Sequence, residues 1–262
     1  MNLNDIKMED VLALPRDEKI NVLAMMSRYQ DLQSKKKLFW LYPEEDTIHN
    51  EDVYHSRYKY LKHLEFFKSG KTYPERCAMC ANRIGKSFGM GGYETALHVT
   101  GLYPDWWEGY TFHRPIKVWI AGKNNTTTRD ICQNIMCGSV SGSGSNKFMS
   151  GDGLIPAAAI KRLTWQRGTA DMLDTMRVDH ITDDSQDGES LITYKSFERG
   201  RGSFEGDAID VIWLDEECPP EVYEECLYRT MTTGGLMYLT FTPVEGLTPT
   251  VLQFLPDMNP DA

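Results

Sequence analysis

The sequence predicts an α/β fold in which a mostly parallel sheet carries helices on both faces. Apolar stretches of strand length alternate along the chain with stretches of helical character, which is the pattern of folds with parallel strands. Two of the apolar stretches lead into groups suited to phosphate chemistry, Gly85-Lys86-Ser87 and Asp215-Glu216-Glu217. Because ligands of open α/β sheets bind at the carboxyl ends of the strands, we expect both groups to line one site.

The N-terminal part, residues 1–50, is predicted to be a helical segment that precedes a single domain over residues 51–262. Apolar side chains recur at helical spacing over residues 5–40, with an interruption at Pro15, and the sequence from Tyr42 to Asp46 ends that pattern. A second helix is predicted over residues 53–68, where tyrosine, histidine and phenylalanine are frequent.

The first strand, predicted at 76–80, leads into a phosphate-binding loop of the Walker A type. The loop reads Cys80-Ala81-Asn82-Arg83-Ile84-Gly85-Lys86-Ser87, with cysteine in place of the usual first glycine. A strand, this loop and a helix, predicted here over 88–99, together supply converging backbone N–H donors, a mobile cation and a hydroxyl group. A triphosphate with its metal ion needs all three, so the fold is predicted to be that of a P-loop NTPase. A coincidental turn is the alternative interpretation.

Further strands are predicted at 117–121, 177–181, 190–195, 209–214 and 236–241. The run from Val211 to Leu214 is continuously apolar, which is typical of a parallel strand buried on both faces, and it ends in three carboxylates as in a Walker B motif. Asp215 is placed to hold Mg²⁺ together with Ser87, and Glu216 to polarise an attacking water. Glu217 is the second candidate for the base, and a solvated acidic turn is the alternative to a site.

The strand predicted at 236–241 ends in Thr240-Phe241-Thr242-Pro243, which places two hydroxyl groups beside the acidic strand. These hydroxyls could hydrogen-bond the γ-phosphate or its water, although a threonine-rich strand end followed by proline explains the pattern equally well. The glycine- and serine-rich stretch 138–153 is predicted to be a mobile loop within one domain. Residues 177–197 are predicted to form a hairpin with its turn at 183–188.

Composition limits the range of functions. The chain has 262 residues and a net charge of −10, so we expect weak non-specific affinity for DNA. No apolar run approaches the roughly 20 residues of a membrane helix, and the first residues lack the pattern of a signal segment, so a cytosolic location is expected. Cys77 and Cys80 have metal-ligand spacing, but no second pair completes a zinc set, and the six cysteines are expected to be reduced.

Taken together, these motifs resemble the ATPase domain of the large terminase subunit of tailed bacteriophages. The matching stretches cover about residues 50–255. They are 58–67, 81–87, Leu102-Tyr103-Pro104-Asp105-Trp106-Trp107-Glu108-Gly109, 118–122, 194–201, 211–217 and 240–243. The stretch with Pro104 and the two tryptophans is the most specific of them.

The resemblance implies a motor that hydrolyses ATP to move double-stranded DNA through a portal protein into an empty procapsid in the host cell cytoplasm. It also implies a small terminase subunit and a ring of like subunits as partners, and no membrane. Members of the family carry a C-terminal nuclease domain, for which too few residues follow Thr242, so DNA cleavage is not expected of this chain.

The resemblance also implies roles for individual residues. Lys86 would bind the β- and γ-phosphates, Ser87 and Asp215 the Mg²⁺ ion, and Glu216 would be the base. Thr240 and Thr242 match a coupling motif. The segment with Tyr58, His63 and Phe66 falls where the family contacts adenine, and core packing explains these aromatics almost as well. The arginine that would stabilise the γ-phosphate is Arg83 acting within the same chain, or else Arg129, Arg199 or Arg201.

Two other functions remain open at this point. A P-loop phosphotransferase would move phosphate to a small molecule and would need an acceptor pocket. A ring module that binds ATP without hydrolysing it would use the nucleotide only to stabilise assembly.

Overall fold

The computed structural model describes Val11 and residues 14–16, 18–23, 37–49, 51–182, 185–255 and 257. Residues 18–23 are helical. The elements that follow are, in chain order, α1 (Lys37–Trp40), β1 (Thr47–His49), β2 (Asp52–Tyr54), α2 (Leu61–Ser69), β3 (Glu75–Met79), α3 (π-helical over Lys86–Gly92 and α-helical over Tyr93–Thr100), β4 (Lys117–Gly122), α4 (Asn125–Thr127, Thr128–Gln133 and Asn134–Cys137, the middle part π-helical), β5 (Val140–Ser141), β6 (Phe148–Met149), β7 (Ile160–Trp165), β8 (Leu173–Thr182), β9 (Ser185–Ser196), β10 (Val211–Asp215), α5 (Pro220–Met231), β11 (Leu236–Phe241) and α6 (Pro249–Gln253).

A seven-stranded sheet forms the centre of the described structure, in the order β3-β11-β10-β4-β9-β8-β7. The first five strands of that order are parallel to one another, and β8 and β7 continue the sheet antiparallel to β9. The predicted mostly parallel α/β sheet is therefore confirmed. Strands β3, β11 and β10 are neighbours, so the loop after β3 and the carboxylates after β10 lie at the same edge of the sheet.

Helices cover both faces of this sheet, as predicted. Side chains of a strand point alternately to opposite faces. In β10, Val211 and Trp213 pack in the core cluster that includes α3 residues. Ile212 and Leu214 pack in the opposite cluster, which includes residues of α5. Burial on both faces explains why this strand is apolar at every position before Asp215.

The predicted strands are confirmed, and the helix predicted over 53–68 is partly wrong. In place of its first turns the chain forms the β1–β2 hairpin, in which Ile48 pairs with Val53. Asp46 then holds the following turn, because the backbone N–H of Ser56 donates to it at 2.7 Å and the ammonium of Lys59 at 2.5 Å. The helix proper is α2, which begins only at Leu61.

The described part of the N-terminal segment packs onto the sheet domain. Leu38 is fully buried and Tyr42 is 2% exposed, and both belong to the core cluster that contains Trp213. Most of the helix predicted over residues 5–40 lies outside the described residues, namely 1–10, 12–13, 17 and 24–36. Residues 37–49 are thus continuous with the main core.

The loop predicted over 138–153 and the hairpin predicted over 177–197 both differ in detail from expectation. The stretch 138–153 contains a small hairpin in which Val140 pairs with Met149, and Met149 packs in the core cluster that contains Trp213. The hairpin of β8 and β9 has a shorter turn than 183–188, because Gln186 already pairs with Ile181; residues 183–184 lie outside the described residues.

All six cysteines are free thiols. Within the described part of the chain, no helix has the length and apolar character needed to cross a membrane.

Candidate active site

The loop after β3 is shaped by a glycine in the left-handed region. Gly85 has φ +83°, and the backbone N–H of Gly89 donates to its carbonyl at 2.6 Å as α3 begins. A Cβ atom at Gly85 would also lie 3.4 Å from Cε1 of His63. Glycine adopts this conformation without the steric cost that a side chain brings. Arg83, two residues earlier, is also left-handed, with φ +65°.

Lys86 is held at the carboxyl end of β11. Its ammonium donates to the hydroxyl of Thr242 at 2.8 Å and lies 3.4 Å from the amide oxygen of Asn82. The same hydroxyl is 2.8 Å from the carbonyl of Cys80 and 2.9 Å from the amide oxygen of Asn82. Because β11 is the sheet neighbour of β3, Thr242 meets the loop although 162 residues separate it from Cys80.

Asp215 ends β10 and is 2% exposed. The hydroxyl of Thr240 donates to its Oδ1 at 2.7 Å, and the side chain of Ser87 also hydrogen-bonds it. Burial raises the pKa of Asp215 from 3.8 to about 6, against the lowering effect of these two hydrogen bonds. A carboxylate and a hydroxyl are oxygen donors of the kind that Mg²⁺ prefers, so Asp215 and Ser87 fit the ion that the sequence implies.

Glu216 and Glu217 open onto a cleft of about 630 Å³ that is also lined by Thr242 and Lys123. Glu216 is left-handed at φ +83°, and its backbone N–H donates to the carbonyl of Thr240 at 3.0 Å. A non-glycine residue in this conformation is unusual and often marks a functional position. Glu217 accepts a hydrogen bond from the hydroxyl of Thr248, which holds it to the α6 side of the cleft.

An aromatic cavity of about 540 Å³ lies on the other side of the loop, and its walls include Tyr42, Tyr60, His63, Arg83 and Phe88. The hydroxyl of Tyr42 donates to the carbonyl of Gly89 at 2.7 Å and lies 2.6 Å from Nδ1 of His63. Nε2 of His63 lies 3.1 Å from the carbonyl of Ile84. Burial lowers the pKa of His63, against the raising effect of this last contact.

The structure brings only one of the three predicted aromatic residues to this cavity. His63 lines it, whereas Phe66 packs in the core, where the guanidinium of Arg76 lies 4.7 Å from its ring centre. Tyr58 is 57% exposed and lines a separate groove beside Trp106, because it precedes α2 and faces away from the loop. The structure therefore places Tyr58 and Phe66 outside this cavity, and their predicted contact with adenine stays a prediction. The sequence does not predict that Tyr42 lines this cavity, because Tyr42 lies in the irregular segment between α1 and β1 and belongs to no recognisable motif.

None of the four predicted arginines lines the cleft beside Glu216. Arg83 lines the aromatic cavity, and not the cleft beside Glu216, so its placement does not support action on a γ-phosphate. The other three are engaged elsewhere: Arg129 with Asp130 and the carbonyl of Ala170, Arg199 with Gln166, and Arg201 with Glu225. Among the described residues that line the cleft, Lys123 is the cationic one.

The loop after β3, the buried Asp215 and the two threonines of β11 thus lie at one edge of the sheet, and comparison with known sequences identifies the family. A sequence model of the family described as "Terminase large subunit, T4likevirus-type, N-terminal" matches residues 77–260. The chain belongs to the terminase large subunit family. The resemblance found in the motifs is confirmed by this match, which extends from β3 beyond α6.

Individual terminases show how much of the family's length is present. The large terminase subunit of Salmonella phage P22 is 35% identical over 234 residues, which cover 84% of this chain and 46% of that protein. The chain thus spans a little under half the length of this terminase. Among solved structures, a mutant of the Thermus phage P74-26 large terminase ATPase domain gives a TM-score of 0.47 at 16% identity, covering 73% of this chain and 71% of that one. A large terminase of a thermophilic bacteriophage in complex with ADP gives 0.41 at 13% identity, covering 70% and 38%.

Proposed function

We propose that this terminase chain is an ATPase motor domain that drives double-stranded DNA into a procapsid. The observation that carries the proposal is the meeting of three strand ends. At the carboxyl edge of the sheet, Lys86 after β3 donates to Thr242 after β11, and Thr240 of β11 donates to Asp215 at the end of β10. A cation, a hydroxyl and a carboxylate pair in that arrangement can bind a nucleoside triphosphate and activate water.

Each group has a distinct part in the proposed reaction. The backbone of residues 80–85 and the ammonium of Lys86 bind the phosphates, and Lys86 exchanges its contact with Thr242 for phosphate oxygens. Ser87 and Asp215 hold Mg²⁺, which when bound neutralises charge on the β- and γ-phosphates. Glu216 accepts a proton from a water whose oxygen bonds to the γ-phosphorus while the bond to the bridging oxygen breaks, giving ADP and phosphate.

The aromatic cavity supports adenine as the base. It borders the loop through Ile84 and Gly85, and it presents tyrosine and phenylalanine faces on which a purine can stack. Burial favours the neutral form of His63, and its two ring nitrogens contact the hydroxyl of Tyr42 and the carbonyl of Ile84, so His63 would present its ring to the base without a charge. We place the base there, with His63, Tyr42 and Tyr60 around it.

The partners follow from family membership. A large terminase subunit that packages DNA requires the duplex, a portal protein on the procapsid, the small terminase subunit and a ring of like subunits, all in the host cell cytoplasm. With a net charge of −10, the isolated chain lacks a general electrostatic attraction for DNA. Its ATPase should therefore couple to DNA only in the assembled motor.

The test compares Glu216→Gln with Glu217→Gln in a phosphate-release assay. Removing the base lowers the rate by about 10²- to 10⁴-fold, so Glu216→Gln should lose turnover while it still binds ATP with Mg²⁺. Glu217→Gln, changed in the same way one residue along the chain, should keep most of the rate. Lys86→Ala should lose ATP binding as well.

Three outcomes would contradict the proposal. Full turnover in Glu216→Gln would remove this residue from the base role. Phosphate release that requires a small-molecule acceptor would indicate a phosphotransferase. ATP binding with no hydrolysis, even with DNA and portal present, would indicate a ring module that only binds nucleotide.

A further inference from the structure

Trp213 lies two residues before Asp215 on the same face of β10, directed toward α3. It is fully buried, and its indole N–H donates to the hydroxyl oxygen of Thr240 at 2.7 Å. The same hydroxyl is 2.7 Å from Oδ1 of Asp215. The three side chains thus form a buried chain of hydrogen bonds that leads from the core of the domain to the carboxylate of the site.

The chemistry of the groups fixes the direction of this chain. An indole N–H can only donate, and a threonine hydroxyl carries a single proton. When Thr240 accepts from Trp213, the lone pair facing the indole is occupied, and its proton is directed to Asp215. A buried hydroxyl without the indole could rotate toward other acceptors. Trp213 therefore sets the orientation of Thr240, and Thr240 sets that of the carboxylate.

The helix after the loop is built to admit this indole. A Cβ atom at Gly91 would lie 2.2 Å from Nε1 and 2.5 Å from Cε2 of Trp213, closer than real contacts allow. Gly91 belongs to the π-helical part of α3, which begins with Lys86 and Ser87. The indole is consequently wedged between the strand that carries the acidic ligand and the helix that carries the hydroxyl ligand.

We propose that Trp213 is a positioning residue for the magnesium-nucleotide complex and acts through Thr240. This inference rests on the proposed function of the site. Its indole holds Thr240 so that Oδ1 of Asp215 accepts from the hydroxyl. Oδ2, which lies 3.9 Å from the sulfur of Cys132, and the hydroxyl of Ser87 would then be the oxygens that bind the metal ion. The consequence is specific: the loss of the indole N–H should weaken the contribution of Mg²⁺ to nucleotide binding, and not nucleotide binding as such.

The measurement is the ratio of the ATP dissociation constants in EDTA and in Mg²⁺, determined for wild type, Trp213→Phe, Thr240→Val and the double variant. A neutral hydrogen bond contributes about 0.5–1.5 kcal/mol, so Trp213→Phe should lower the ratio roughly 2- to 13-fold. The affinity in EDTA should stay close to that of wild type. Because Trp213 acts through Thr240, the double variant should match Thr240→Val alone, and Thr240→Ser should restore the ratio.

Trp119→Phe is the matched control. It removes a buried indole from the adjacent strand β4, on the opposite face of the sheet, where Trp119 packs against Phe204 and Lys195. This variant should keep the wild-type ratio. A Trp213→Phe protein with an unchanged ratio, or losses that multiply in the double variant, would overturn the proposal.

A second measurement covers the case in which Trp213→Phe does not fold. In wild-type protein with isotope-labelled indoles, the Nε1–H resonance of Trp213 should shift when Mg²⁺ is added to the ADP complex, and this response should be lost in Thr240→Val. An unresponsive resonance in wild type would also overturn the proposal. Failure of the proposed function would be distinct, because wild type itself would then show no gain in affinity from Mg²⁺.

Discussion

At the residue scale, the site depends on backbone conformations that few side chains tolerate. Gly85 and Glu216 both have φ +83°, one just before α3 and one directly after β10. Gly85 is therefore required by geometry, and not only by the room that a phosphate needs. An added side chain would strain the loop by roughly 1–2 kcal/mol.

Gly85→Ala should consequently weaken ATP binding by roughly 5- to 30-fold and lower the free energy of unfolding by about 1 kcal/mol. Isothermal calorimetry and urea denaturation measure the two effects. Gly202→Ala is the control, because no atom lies within 4 Å of a Cβ built at Gly202. Normal ATP affinity in Gly85→Ala would show that this loop does not carry the phosphates.

At the element scale, a buried ion network joins β3 to α3. Arg76 donates to Glu94 at 2.6 and 3.1 Å, and Nε2 of His98 lies 3.2 Å from the same carboxylate. Burial lowers the pKa of His98 below its ordinary value of 6.5, although Glu94 acts to raise it. Burial acts to raise the pKa of Glu94, but the charge of Arg76 and the hydrogen bonds outweigh it, so that pKa is lowered. Both groups thus bind a proton less readily in the folded protein than in the unfolded chain.

The network predicts that stability falls with acid. Below pH 6.5 the unfolded chain takes up a proton on His98 that the folded protein does not, so the free energy of unfolding decreases as pH falls. The stability that the ionised carboxylate of Glu94 contributes is lost in the same way below its ordinary pKa of 4.5. Urea denaturation between pH 7 and pH 5 should therefore show a smaller decrease in His98→Gln than in wild type. His113→Gln, at an exposed position, should leave the pH dependence unchanged; an equal effect of both variants would contradict this account.

The elements also show what a sequence can and cannot predict. Strands β3, β10 and β11 are apparent because buried parallel strands are short apolar runs, and the residues at their ends follow known motifs. The sequence does not indicate strand β7, because Lys161 and Arg162 interrupt its apolar residues, as is possible in a strand at the edge of the sheet. The β1–β2 hairpin depends on Asp46, which accepts hydrogen bonds from residues ten and thirteen positions later.

The residues of the site divide in the same way into those that the sequence predicts and those that it does not. Lys86, Asp215 and Thr242 were placed together from their motifs, and the structure joins Lys86 with Thr242 directly. The contacts of Tyr42 and Trp213 were not predicted, because they depend on how distant elements pack. No local pattern marks an indole that must meet a glycine more than a hundred positions earlier.

At the scale of the whole molecule, one sheet separates two apolar clusters and belongs to both. Strand β10 contributes Trp213 to one cluster and Leu214 to the other, so neither face can lose its packing without affecting the other. Residues 37–49 share this core through Leu38 and Tyr42. The described domain should therefore unfold as one cooperative unit.

Tyr42→Ala tests this expectation. Removing a buried aromatic side chain should lower the global free energy of unfolding by about 3 kcal/mol, with coincident transitions by circular dichroism and tryptophan fluorescence. Tyr73→Ala, at a position that is 61% exposed, should change the free energy by less than about 0.5 kcal/mol. Separate transitions for the two probes would show that the N-terminal segment unfolds on its own.

The left-handed backbone at Glu216 has a wider consequence. A carboxylate held at φ +83° beside Asp215, whose pKa it helps to raise, costs folding energy through both its conformation and its charge. Selection for thermal robustness alone would place glycine or asparagine there. A glutamate in this position therefore lowers the stability of the fold at the residue whose carboxylate the proposed chemistry needs.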